Sequence, residues 1–364
     1  MDIAVIGAGG TCGRQLCMQL LERRIAQTGD RLQMVTRRGG ASETELWGLR
    51  ADLQDAFDDW GPEVELVFEP EDVAADILVM MAGETVSTDP GAETDRAALA
   101  RRNAAMFAHY ADAAADRADP PIVVVQSNPV ELGVSIFADR LPPQRVLGAG
   151  AWSDSLRFAR EIAADLGVSR RDVQAVMFGQ HGDHLVPLWS KVDVRGLATE
   201  AVAEYIAASR AGFNLADLPE RVRVAKSEMI ELIRGGHIGQ AFEGVQLLPA
   251  DLRAAVKPFF THFTAGRTTE AVTARSAADL VGAFVSGLAF AVPAQVVAAG
   301  NWADELGLTG TPLGLPVILG RSEWAAILPV DLAADEAAAM QVAAAAINRA
   351  IADAAEPTVD GTRA

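Results

Sequence analysis

The sequence predicts an α/β protein, a doubly wound parallel sheet followed by a second domain of mixed α+β texture. Three observations predict it. Short, continuous apolar runs alternate with helical stretches through the first 148 residues, as strands covered on both faces of a parallel sheet require. The first run enters a glycine loop that opens a helix, Gly7-Ala-Gly-Gly10-Thr-Cys-Gly13. Beyond residue 150 the alternation gives way to longer helices and a hairpin-like pair of runs.

The elements follow in order. Asp2-Ile-Ala-Val-Ile-Gly7 reads as the first strand, and Thr11 to Ile25 keeps helical periodicity. Leu32-Gln-Met-Val35, Leu66-Val-Phe68 and Asp76-Ile-Leu-Val-Met-Met81 read as the next three strands. A helix over 96–115 precedes a strand at Pro121-Ile-Val-Val-Val125, and Arg145-Val-Leu-Gly148 closes the sheet. Asp154 to Leu166 is then helical, and Val173 to Phe178 with Leu185 to Val194 suggests a hairpin around Gly179-Gln-His181-Gly-Asp183. Helices are expected at about 199–210 and 218–234. Residues 237–263 read as an irregular stretch punctuated by Gly and Pro, although Ile238, Phe242, Leu247, Leu248, Phe259 and Phe260 argue that it packs. An apolar helix from Ala271 to Leu288, strand-like runs at Pro293–Ala299 and Pro316–Leu319, and an Ala-rich helix over 333–355 complete the chain. The expected division is a dinucleotide-binding domain at 1–148, a catalytic domain at 149–356 and a loose tail at 357–364.

Composition narrows the function. The chain has 364 residues, 50% of them apolar, with 49 Asp+Glu against 31 Lys+Arg and a formal net charge of −18. Such a surface repels phosphate backbones, so no nucleic-acid partner is expected. No apolar stretch reaches the ~20 residues of a membrane span, so no membrane partner is expected either. Nothing at the N-terminus resembles a signal peptide. The two cysteines, Cys12 and Cys17, are too few and too local for a disulfide framework. The expectation is a cytoplasmic protein with a small-molecule substrate. No cluster of soft ligands has metal spacing, and His237 and His262 read as isolated surface or core residues.

The glycine loop predicts a Rossmann-type dinucleotide site, with Gly7, Gly10, Thr11, Cys12 and Gly13 as contacts. Glycine permits the tight turn and the close approach of backbone N–H groups to a pyrophosphate, at a helix N-terminus that favours an anion. A carboxylate at the end of the second strand would hold a ribose 2′-hydroxyl. Here that strand ends Met34-Val-Thr36-Arg-Arg38. A hydroxyl followed by two arginines suits a 2′-phosphate instead. Thr36, Arg37 and Arg38 therefore predict NADP in preference to NAD, with Arg37 the main clamp.

Gly179-Gln-His181-Gly-Asp183, Asp154-Ser-Leu-Arg157 and Ser127-Asn-Pro129 form the acid–base constellation. A histidine that delivers a proton near neutrality needs a carboxylate to fix its tautomer and raise its pKa. Asp154 and Arg157, three apart, share one side of a helix. A guanidinium grips a carboxylate through two parallel hydrogen bonds.

On these motifs the sequence resembles the lactate/malate dehydrogenase family over most of its length. Further segments carry the likeness: Asp52-Leu-Gln-Asp-Ala56, Asp76 to Gly83, Arg96 to Asn103, Gly179 to Ser190 and Leu315-Pro-Val-Ile-Leu-Gly320. The resemblance implies an α+β catalytic domain of that family's type and a homodimer or homotetramer. It implies an NAD(P)-dependent dehydrogenase moving a hydride between the nicotinamide and a small 2-oxo or 2-hydroxy acid. By the same likeness, His181 is the proton donor and acceptor, Asp154 its partner, and Arg157 the grip on the C1 carboxylate. Asn128 hydrogen-bonds the reacting oxygen, Arg96 sits on the loop that closes over substrate, and Thr268 lines the side-chain pocket. Ala82, Gly83 and Asn103 fall in cofactor-binding segments, and Asp183 reads as structural.

The segment Glu84 to Asp95 departs from the family. It carries four carboxylates and no basic residue, where a malate enzyme would place an arginine. Oxaloacetate is disfavoured unless another arginine, such as Arg267, supplies the grip; Glu270 adds a further carboxylate near the pocket. Two competing readings are a catalytically silent nucleotide-binding homologue and an NAD-dependent glycosidase-like hydrolase. The first leaves His181, Asp154, Arg157 and Arg96 unexplained together. The second needs a metal site built partly from cysteine, and both cysteines lie near the glycine loop.

Overall fold

A computed structural model describes residues 1–85, 87, 89 and 96–355, the side chains of Arg96 and Ala97 excepted. The expected tail at 357–364 lies outside the described residues. The first half runs β1 (Ile3–Ile6), α1 (Thr11–Glu22), β2 (Arg31–Val35), α2 (Glu43–Phe57), β3 (Glu63–Val67), β4 (Ile77–Met80), α3 (Arg96–Ala115), β5 (Ile122–Val125), α4 (Val130–Ala138) and β6 (Val146–Gly148). These strands pair in parallel in the order β3-β2-β1-β4-β5-β6. The order reverses direction at β1, and the crevice outside the strands' C-terminal ends at such a switch is where this topology takes a ligand. Every residue of β1, β4 and β5 is buried, which accounts for their unbroken apolar runs.

The second half runs α5 (Gly150–Leu166), β7 (Val173–Gln174), β8 (Met177–Gly179), β9 (Leu185–Pro187), β10 (Asp193–Val194), α6 (Thr199–Ser209), α7 (Leu218–Arg234), α8 (Ile238–Gln246) and α9 (Ala250–Ala265). It ends with α10 (Glu270–Ser286), β11 (Phe290–Val297), α11 (Asn301–Glu305), β12 (Pro312–Leu319), β13 (Trp324–Ile327) and α12 (Ala334–Ala355). The sheet does not stop at β6. Gln295 of β11 pairs antiparallel with Gly148, and the sheet continues through β12 and β8 to β9. Among the described residues no helix is long and apolar enough to cross a membrane.

Several expectations needed correction. The third strand is Glu63–Val67 and not Leu66–Phe68; as the edge strand it leaves Glu63 exposed and Glu65 half-buried, so its apolar run is interrupted. The expected hairpin is split. β8 and β9 pair across the turn that carries His181, while β7 and β10 pair with each other in a separate two-stranded sheet. The stretch 237–263 is not irregular but forms most of two helices, α8 and α9. Its periodicity was masked by Pro258 inside α9 and by the turn between the helices. α9 is a core element: Val256 is fully buried, and Arg253 and Lys257 reach the buried carboxylate of Glu161 on α5 at 2.8 and 2.7 Å. A buried carboxylate requires such partners, and the pairing fixes α9 against the helix that carries Asp154 and Arg157.

Candidate active site

The glycine loop is built by close backbone packing. Gly7 has φ +83°, and a Cβ there would meet Ala82 Cα at 2.7 Å. A Cβ on Gly13 would stand 2.2 Å from the carbonyl oxygen of Gly7. No side chain caps the N-terminus of α1 at Gly10. The loop therefore leaves that helix end to an anion, which suits a dinucleotide pyrophosphate. Cys12, beside it, is largely buried, and burial pushes its thiol up to about 11.

The turn after β2 lies against this loop: a Cβ on Gly9 would be 2.6 Å from Cβ of Ser42, whose hydroxyl is 3.1 Å from that of Thr36. Arg37 is exposed, with no ion pair or side-chain hydrogen bond among the described residues. Arg38 differs. Its guanidinium lies 4.4 Å from the Phe68 ring centre and its Nε 3.9 Å from Glu69 Oε1. The three residues read as one clamp are thus divided, with Thr36 and Arg37 at the loop and Arg38 engaged at the end of β3.

Asn103 binds the next segment together. Its Nδ2 donates to the carbonyls of Glu84 at 2.9 Å and Asn128 at 2.8 Å, and its Oδ1 accepts the N–H of Glu84 at 2.8 Å. Gly83 lies beneath it, where a Cβ would be 3.5 Å from both Asn103 Nδ2 and Ser127 Cβ. Asn103 thereby joins the start of the loop at 84 to the Asn128 turn through main-chain contacts. The Asn128–Pro129 peptide is cis, and the Asn128 side chain is exposed. Arg96 opens α3, but its side chain lies outside the described residues. Glu84, one of the four carboxylates of its segment, is held by Arg102 Nε at 2.7 Å.

The fold brings His181, Asp154 and Arg157 together. Nδ1 of His181 lies 2.7 Å from Oδ2 of Asp154, and Nη1 of Arg157 donates to Oδ1 of the same carboxylate at 2.9 Å. Gly150, at the start of α5, makes room for the ring: a Cβ there would be 2.6 Å from His181 Cγ. Burial alone would lower the His181 pKa, but the adjacent Asp154 outweighs it and the net shift is upward. For Asp154 burial acts upward, and His181 with Arg157 reverses it to a net lowering. The site thus holds an imidazole that keeps its proton toward neutrality beside an ionised carboxylate.

Thr268 is half-buried, and its carbonyl accepts the N–H of Glu270 at 2.9 Å. It is its neighbour Thr269 that touches the group, its hydroxyl accepting from Arg157 Nη2 at 3.0 Å. That residue was missed. Its one sequence signal is the Thr-Thr pair immediately before α10. Glu131 was missed too: one oxygen of this buried carboxylate accepts the backbone N–H of His181 at 2.6 Å. Arg267 Nη1 stands 3.5 Å from Glu270 Oε1, and Asp183 is ion-paired with Lys226. His262, expected to be isolated, has Nε2 3.0 Å from the carbonyl oxygen of Ser87.

Comparison with known proteins shows the family and the fold. Residues 1–148 match the family described as lactate/malate dehydrogenase, NAD binding domain, and residues 153–264 match lactate/malate dehydrogenase, alpha/beta C-terminal domain. A malate dehydrogenase of Chlorobium phaeobacteroides is 26% identical over 363 residues, covering 95% of this chain and 96% of that one. A malate dehydrogenase of Methanothermobacter marburgensis is 30% identical over 248 residues, covering 66% of this chain and 74% of that one. Among solved structures, a lactate dehydrogenase of Cryptosporidium parvum complexed with lactic acid and β-nicotinamide adenine dinucleotide superposes with a TM-score of 0.75. It is 20% identical, and the match covers 98% of each chain.

Proposed function

The chain belongs to the lactate/malate dehydrogenase family, and from that premise we propose that it is an NADP-linked dehydrogenase of a small 2-hydroxy acid. It is a malate/lactate dehydrogenase-like oxidoreductase that uses a nicotinamide dinucleotide. The observation that carries the reading is the buried trio in which Asp154 bonds His181 at 2.7 Å and Arg157 at 2.9 Å. Nucleotide binding alone would need none of it.

The roles follow from the contacts. A nicotinamide dinucleotide held at the glycine loop would supply or accept the hydride. Asp154 holds the proton on Nδ1 of His181, which turns Nε2 toward substrate as the atom that gives or takes a proton at the C2 oxygen. Arg157, with one edge on Asp154 and Thr269, grips the C1 carboxylate and fixes the acid's orientation. Asn128 and Arg96 stabilise charge on the reacting oxygen, and Thr268 lines the side-chain pocket. Residues 1–148 hold the dinucleotide; residues 149–356 supply the acid–base group.

Two finer points rest on charge. The end of β2 carries no carboxylate to repel a 2′-phosphate, and Thr36 and Arg37 lie there with the Arg37 guanidinium unpaired among the described residues, which supports NADP. Arg102 is paired with Glu84 and Arg267 lies near Glu270, so a second substrate carboxylate would have to compete with a carboxylate already beside each. A 2-oxo acid with a single carboxylate is therefore favoured over oxaloacetate. Absorbance at 340 nm with NADPH and NADH, across dicarboxylic, aliphatic, hydroxylated and cationic 2-oxo acids, tests all three levels. Turnover of at least one acid is expected, with kcat/KM roughly tenfold higher for NADPH. A comparable preference for NADH would overturn the cofactor assignment, fastest turnover of oxaloacetate the substrate class, and silence with every acid the dehydrogenase itself.

A further inference from the structure

We propose that Glu131 is a positioning residue for proton transfer, holding the backbone of His181 and adding a second negative charge beside the imidazole; the proposal rests on the dehydrogenase reading above. Glu131 is only 4% exposed. Its Oε1 accepts the N–H of His181 at 2.6 Å and lies 3.4 Å from Nε2 of the fully buried Gln295 on β11. Gln295 in turn accepts the N–H of Ala151 on α5 at 3.1 Å, three residues before Asp154. One carboxylate thus links α4, β11 and the histidine loop, and through Gln295 the first turn of the helix that carries Asp154 and Arg157. Glu131 also follows Asn128 by three residues, so a single helix start sets both the exposed amide and the support under His181.

Geometry alone would be served by glutamine, whose amide oxygen could accept the same N–H. The choice of a carboxylate at a buried position is costly, since burial pushes its pKa upward. What the charge adds is electrostatic. Among the described residues, the charged groups that act on the imidazole are Asp154 and Arg157 from α5 and Glu131 from α4. β11 presents the neutral Gln295, and Asp183, two residues along the loop, is neutralised by Lys226 of α7. Of the two carboxylates, Asp154 orients the ring through its side chain and Glu131 fixes the main chain. Both favour the imidazolium, while Arg157 opposes it. The protonation of the two partners is therefore linked: a proton on His181 favours the ionised form of Glu131, and its departure lets Glu131 rise.

The test is Glu131→Gln, read by imidazole 15N NMR titration of His181 and by the pH profile of kcat/KM for reduction of the best 2-oxo acid. The His181 signal is assigned by its loss in His181→Asn. The expected result is a His181 midpoint lowered by about one pH unit. It comes with roughly tenfold lower kcat/KM on the alkaline side and a KM for the acid within about twofold of the parent. An unmoved midpoint, whether activity is kept or lost, would overturn the proposal and leave Glu131 a packing residue. Should Glu131→Gln fail to fold, Glu131→Asp keeps the charge but shortens its reach. It is expected to retain the midpoint and lower kcat, and a shifted midpoint or an unchanged kcat would overturn the proposal. The titration needs no substrate, so a parent protein silent with every acid would fail the dehydrogenase reading without deciding this one.

Discussion

Oδ2 of Asp154 stands 2.7 Å from Nδ1 of His181 while the other oxygen of the same carboxylate accepts a hydrogen bond from Arg157 at 2.9 Å. One buried carboxylate therefore orients both the proton carrier and the guanidinium. Because Asp154 and Arg157 sit one turn apart on α5, their relative placement is as rigid as the helix. The chemistry of the site depends on this sharing.

The pH dependence has a fixed sign. The His181 pKa is raised above its ordinary 6.5, so reduction of a 2-oxo acid, which needs the protonated ring, should hold past that pH and decline as pH rises through the elevated midpoint. Oxidation of the 2-hydroxy acid should gain over the same window. Stability follows the same rule: the contribution of the pair is complete below the unfolded histidine pKa and lost as pH rises through the folded one. Asp154→Asn removes the partner charge and should move the kinetic midpoint down, as a pH series of kcat/KM would record.

Gly150→Ala should separate activity from folding. The added methyl would lie 2.6 Å from Cγ of His181 and must push the imidazole away from Asp154, while alanine is itself favourable in a helix. A misplacement of about 1 Å can cost about a hundredfold in rate. Steady-state kinetics should show kcat falling by at least about tenfold, while thermal melting shows a fold that persists.

Arg157→Lys should not behave as a conservative change. Lysine keeps the charge but loses the planar fork that reaches Asp154 and Thr269 at once. KM for the 2-oxo acid should rise by about tenfold or more, with cofactor affinity measured by fluorescence titration unchanged.

The sequence made some parts of this architecture legible and hid others for identifiable reasons. The glycine loop and the Asp154–Arg157 spacing are local patterns, so their geometry could be read from residue order alone. Helix α4 could not: six of its nine residues are buried, which removes the polar face that periodicity requires. α2 buries only Leu46 and Leu53, too few to mark a face. Thr269 and Glu131 were invisible as site residues because each acts through a contact made across the fold, over 112 and 50 residues of chain. Arg38 was read with Arg37 because adjacency in sequence says nothing about which way a side chain leaves a turn. Only the position of Phe68 and Glu69 separates them.

Single-turnover reduction of the best 2-oxo acid by enzyme-bound cofactor, comparing the parent protein with His181→Asn at 340 nm, tests the account most directly. The expected result is a rate lowered by about a hundredfold or more in the variant, with cofactor affinity and melting temperature preserved. A variant that keeps most of the parent rate would remove His181 from proton transfer and contradict the account.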